Sequence, residues 1–155
     1  MGAAYFYHLT RKPLEATLPL LLGKALGAGW RCQVIGGGEA QRRALDTSLW
    51  LGDEAEFLPH GIEGGPNDAE QPILLCAEVH SGHDAQCLML IDGALVDPEV
   101  VKAKDRICIL FDGNDEAAVA AARTQWRSLT DAGCAAQYWS EETGSWIKKA
   151  EKAAD

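Results

Sequence analysis

Four stretches of this chain carry side chains able to do chemistry. In AAVAAARTQWRSLTDAG, residues 117–133, helical spacing lines up Ala118, Ala122, Trp126 and Leu129 on one face and sets Arg123 and Arg127 one turn apart on an adjoining face. Two guanidinium groups beside an indole suit an acidic ligand, because arginine binds carboxylates through charge-assisted forks. Composition alone favours a plainer reading, with both arginines solvated or paired to Asp131 and Glu116 and Trp126 in the core. In HSGHD, residues 80–84, His80, His83 and Asp84 are the donor types of a metal-dependent hydrolase. The spacing is short and no distant Cys or His completes a tetrahedron, so a solvated turn is favoured. In IGGGEAQRR, residues 35–43, glycines stand between a strand and a helix, where a nucleotide-binding enzyme keeps its fingerprint. After Gly36 and Gly38 the third glycine is missing at Gln41, no Lys-Ser or Lys-Thr pair follows, and Glu39 would face a phosphate; a turn-forming role is favoured. In TSLWLGDEAEFLPHG, residues 47–61, Trp50, Phe57 and Leu58 sit among Asp53, Glu54 and Glu56 ahead of Pro59 and His60. A loop this polar holds a Trp and a Phe only if something covers them: the core, a substrate or another protein. No GxSxG or HExxH occurs, and no catalytic residue, metal or cofactor is expected.

The elements that must position these residues are legible from apolar periodicity and turn residues. AAYFYHL, residues 3–9, reads as a buried strand, and Thr10 caps a helix that runs to Gly27 with Pro13 in its first turn. RCQVI, residues 31–35, is a second strand; residues 39–49 form a second helix with Ala40, Ala44 and Leu45 inward. Residues 59–71 are a surface loop rich in Gly, Pro, Asn and Asp. Strands resume at 72–79, 87–92 and 106–111, the first two joined as a hairpin through HSGHDAQ. A long helix over 115–131 precedes a last edge strand at 135–139, and the polar segment from Glu141 is expected to fray. Strands alternating with helices, with nearly continuous apolar strands, predict a three-layer αβα domain around a mixed, mostly parallel sheet.

Composition bounds the class. At 155 residues with 47% hydrophobic and 24% charged residues, the chain suits one globular domain. No run reaches the length of a membrane span and MGAAYFYHLTRK lacks the order of a secretory signal, so a cytoplasmic protein is expected. Five cysteines, odd in number, widely spaced and set in apolar runs, read as reduced core residues. With a formal net charge of −9, the chain is ill suited to neutralising phosphates, and any contact with nucleic acid is expected to run through another protein.

In order along nearly the whole chain, YFYHL, ALDTSLW followed by EFLPHG, QPILL, ILFDGND and AAARTQWRSLTDAG resemble the chi subunit of bacterial DNA polymerase III, an accessory subunit of the clamp-loader complex. The resemblance implies a non-catalytic linker whose fold is reminiscent of mononucleotide-binding, Rossmann-like proteins without a nucleotide site. One surface would bind the psi subunit of the clamp loader or an equivalent partner, and in some bacteria a helicase. A separate surface would bind the acidic C-terminal tail of the single-stranded-DNA-binding protein, which ends in Pro-Phe with a free carboxylate. Carried over to this chain, the psi-type surface falls on Trp50 and Phe57, with Pro59 and His60 holding the loop shape. The tail pocket falls on Arg123, Trp126 and Arg127. The family's apolar position after the FDG-type strand end is here Asp112, which would repel an acidic tail if it faced the pocket. The implied organisation is a chi-like domain over 1–140 and a polar C-terminal tail over 141–155.

Overall fold

A computed structural model of the protein describes residues 2–11, 13–50, 58–80, 82–141 and 145–154. Among these the chain runs β1 (Ala3–Leu9), α1 (Leu14–Gly27), β2 (Cys32–Ile35), α2 (Glu39–Trp50), β3 (His60–Ile62), β4 (Ile73–Cys76), β5 (Cys87–Leu90), α3 (Pro98–Ala103), β6 (Arg106–Asp112), α4 (Glu116–Asp131), β7 (Ala135–Ser140) and β8 (Ile147–Lys152). The strands form one sheet in the order β3-β4-β2-β5-β6-β1-β7-β8. Every pairing is parallel except β7 with β8.

The period of two along each strand divides the core between the faces. Ala4, Phe6, Leu74, Leu88, Ile107 and Ile109 pack under α3 and α4, through Val101, Ala122 and Leu129. Val34, Ile73, Leu75, Met89, Cys108 and Leu110 pack under α1 and α2, through Leu18, Leu22, Leu45 and Leu49. Helices on both faces give the three layers that the alternation of elements predicts. All five cysteines are reduced and buried. Cys32 and Cys87 are register partners across β2 and β5, and Cys108 belongs to the same cluster.

Several local expectations are corrected. The strands flanking HSGHDAQ do not form a hairpin: β4 and β5 lie on either side of β2, each parallel to it. The antiparallel pair is instead β7–β8, so the segment from Glu141 contributes a strand rather than fraying. Thr10 does not cap α1. Pro13 holds the N-cap position with no side-chain cap, and the Thr10 and Arg11 amides donate to the Glu141 carboxylate, at 3.3 and 3.1 Å. Ala40 and Ala44 are exposed, and α2 reaches the core through Leu45 and Leu49. The short β3 lies within the stretch read as a loop, because a three-residue strand containing glycine has no periodicity to reveal it. Helix α3 was also not expected, although Asp97 caps it by accepting from the Glu99 amide and Pro98 takes its first turn.

Candidate partner-binding sites

Trp50 ends α2, and 51% of its surface is exposed. Its indole lies against the His60 ring, with centroids 4.2 Å apart and planes at 35°. His60 opens β3 and is itself buried, at 5% exposure. Its Nδ1 meets the Leu58 carbonyl at 2.6 Å, and its Nε2 meets the Asp46 carbonyl and Oδ1, each at 3.1 Å. Asp46 precedes Trp50 by one helical turn, so α2 and β3 are tied through the imidazole. The outcome is a half-exposed indole backed by a ring that cannot swing away. Pro59 is half-buried beside it. Phe57, predicted as the second aromatic of this surface, lies outside the described residues.

The second group sits on the opposite half of the sheet. Asp115 caps α4 by accepting from the Ala117 and Ala118 amides at 3.0 and 3.3 Å. From that start the helix turns Leu129 fully inward, holds Trp126 half-buried and leaves Arg123 and Arg127 exposed. Neither arginine takes an ion pair among the described residues, so the expected alternative partners, Asp131 and Glu116, do not engage them. Trp126 meets Phe6 edge-on at 5.3 Å and Tyr138 at 6.2 Å. Tyr138 in turn bonds His8 Nδ1 through its hydroxyl at 2.7 Å and stands 5.9 Å from Phe111. Sequence reasoning missed Tyr138 and His8 as parts of this aromatic patch; they come from β7 and β1, and only the register of these neighbouring strands brings them to Trp126. Gly113 admits the His8 ring, since a Cβ there would lie 1.9 Å from His8 Cδ2.

Between α1 and α4 the C-terminal ends of β5, β6 and β1 open into a crevice of about 850 Å³. It lies where adjacent strands send their helices to opposite faces, the usual place for a ligand in an open α/β sheet. Its floor is Leu9, Leu90, Ile109 and Phe111, while Glu15, Asp92, Asp112 and Asp115 outweigh Arg11 on its walls. Asp112 is exposed here, and one of its oxygens accepts from the Asn114 amide at 2.9 Å.

The turn at Gly36 has a packing cause, because a Cβ there would lie 2.2 Å from the Ile91 carbonyl oxygen. At the next residue Arg42 donates to the Gly37 carbonyl at 2.6 Å. His80 and His83 are likewise committed to structure. Gln33, fully buried in β2, donates from Nε2 to the His80 and His83 carbonyls at 3.1 and 3.2 Å, and its Oε1 accepts from the His80 amide at 2.8 Å. His83 Nε2 donates to the Gln71 carbonyl at 2.6 Å, which leaves Nδ1 as an acceptor facing Gln33 Nε2 at 3.4 Å. Burial lowers the His83 pKa from its ordinary value, and the Arg31, His80 and Lys104 charges act the same way against the Gln71 bond. No metal-ligating group of three forms among the described residues.

A family model described as DNA polymerase III chi subunit, HolC, matches residues 1–137. A curated protein of Rickettsia prowazekii (strain Madrid E), named probable DNA polymerase III subunit chi, is 25% identical over 111 residues, covering 68% of this chain and 67% of that protein.

Proposed function

Because the chain belongs to the DNA polymerase III chi subunit family, we propose that it is a non-catalytic subunit of the replicative polymerase. In this reading it joins the clamp loader, through psi or an equivalent partner, to the acidic C-terminal tail of the single-stranded-DNA-binding protein. One observation carries the proposal: Arg123 and Arg127 are exposed, without ion pairs among the described residues, beside a half-buried Trp126. In a chain of net charge −9, two uncommitted guanidinium groups next to an aromatic patch are what a terminal carboxylate following an apolar residue requires. The tail is expected along this face of α4 and not in the neighbouring crevice, whose carboxylates, Asp112 among them, repel it. Trp50, with Phe57, Pro59 and His60, serves the clamp-loader side, and a helicase competes for that surface where one is used. Nucleic acid is reached only through the coating protein, and the protein works in the cytoplasm.

Calorimetry with the tail peptide tests this. Removing the arginine that neutralises a partly buried carboxylate costs roughly 2 to 5 kcal/mol, tens to thousands of fold in affinity. Arg123→Ala is therefore expected to abolish measurable binding, and Arg123→Lys to restore part of it, since a point charge does not reproduce the guanidinium fork. Undiminished affinity in Arg123→Ala would mean that the arginines are only a solvated helix face.

A further inference from the structure

The crevice between α1 and α4 has no part in either partner surface. Successive residues of a helix stand about 100° apart, so its Ala117 and Ala121 wall lies on the flank of α4 turned away from Trp126 and Arg123. At about 850 Å³ the crevice has the size of a small-molecule site. It opens at the carboxyl ends of the strands, where an open α/β sheet usually holds a nucleotide with its phosphates on a helix N-terminus.

Both helix starts here are closed to phosphate. Asp115 takes the Ala117 and Ala118 amides of α4 at 3.0 and 3.3 Å and adds its own charge. Helix α1 starts after Pro13, which has no N–H to offer, and carries Glu15 in its first turn. Asp92, just past β5, and Asp112, at the end of β6, are exposed and line the same crevice. None of these four carboxylates takes an ion pair among the described residues. Arg11 is the one basic residue among the described residues that line it. Beneath the charges the floor is apolar, and Thr10, also in the lining, keeps a buried hydroxyl oxygen without a hydrogen-bond partner.

We propose that this crevice binds a small organic cation, an amine with an apolar body. The body seats over Leu90, Ile109 and Phe111, the ammonium group lies among the carboxylates, and the Thr10 hydroxyl offers it an acceptor. An anion of the same shape is turned away by the same walls. The site thus keeps the position of a nucleotide site and inverts its charge preference.

The probes are 2-phenylethylammonium, 3-phenylpropionate and AMP, each titrated into the full chain and followed by amide chemical shifts. The ammonium probe is expected to shift resonances of residues 92–95 and of the first turn of α4, and neither anion is expected to do so. Asp92→Asn/Asp112→Asn removes two charges and keeps the local structure. Asparagine tolerates the left-handed region that Asp92 occupies, φ +52°, and still accepts from the Asn114 amide. At the modest strength of exposed charge pairs, this double variant is expected to weaken the ammonium probe about fivefold. Ala121→Phe fills the crevice from an exposed helix position and is expected to abolish its binding. Absence of ammonium binding, shifts confined to other elements, binding of either anion in the crevice as tight as that of the cation, or affinity unchanged in both variants would each overturn the proposal.

Discussion

At His83 both ring nitrogens are engaged, one donating to Gln71 and the other facing Gln33, and this has a consequence for stability. The folded state resists a proton that the unfolded chain accepts near pH 6.5, so the lowered pKa favours folding fully above that value. The contribution is lost as pH falls from about 6.5 toward the lower folded-state value. Urea midpoints at neutral and mildly acidic pH are expected to separate in the wild type and to converge in His83→Gln; equal separation in both would assign the effect to other groups. The His60 ring instead meets acceptors at both nitrogens, the Leu58 and Asp46 carbonyls, and it backs Trp50. His60→Ala leaves Leu58 and Asp46 short of a partner, at a cost of about 1 to 3 kcal/mol, and frees the indole. Trp50→Ala removes an exposed side chain and should leave the melting temperature almost unchanged while weakening partner binding by about 2 kcal/mol or more. A collapse of its melting temperature would place Trp50 among the core residues.

Among the elements, α4 was the most legible from sequence. Its caps and stripe are local, and Leu129, Trp126 and Arg123 lie inward, at the border and outward as their spacing dictates. The strands were legible as apolar runs but their neighbours were not, because pairing is decided by crossovers that no short window contains. That is why HSGHDAQ read as a hairpin, and why the aromatic patch of Trp126, Tyr138 and His8 was invisible before β1 and β7 were found side by side. The same stretch is not the solvated turn that its sequence favours: His83 is buried, and a glutamine 47 and 50 residues away fastens the turn to β2 through the His80 and His83 carbonyls. Gln33→Leu is expected to lower stability by about 1 to 3 kcal/mol despite its apolar gain, since the His80 amide loses its acceptor inside the protein. Denaturation at fixed pH would show it, and an unchanged midpoint would mean that water replaces the amide. Asp97→Ala should cost about 1 kcal/mol through the cap of α3 alone.

For the molecule as a whole, the sheet acts as a spacer. From β3, beside Trp50, to β6, under α4, there are four strand steps, or about 19 Å at the usual strand separation. That exceeds the screening length of about 8 Å at physiological ionic strength. The two surfaces should therefore fill independently: saturating the Trp50 surface with its partner is expected to change tail-peptide affinity by less than about twofold at that ionic strength. Calorimetry with one site prefilled reads this, and strong coupling at physiological salt would point to a conformational link instead. The family itself was legible because its motifs are local blocks.

The five buried thiols turn the protein into its own gauge of opening. Burial pushes the Cys76 thiol up to about 12, and Cys32, Cys87 and Cys108 lie on β2, β5 and β6 in the middle of the sheet. A thiol reagent finds no target until those strands part. Labelling of the native protein should then be all-or-none, with intact-mass spectra showing chains carrying either no adduct or five. Its rate should track global unfolding. An early single adduct would locate a region that opens alone, with Cys134 at the entry to β7 marking the α4 end of the sheet and Cys76 at the close of β4 marking the β3 end.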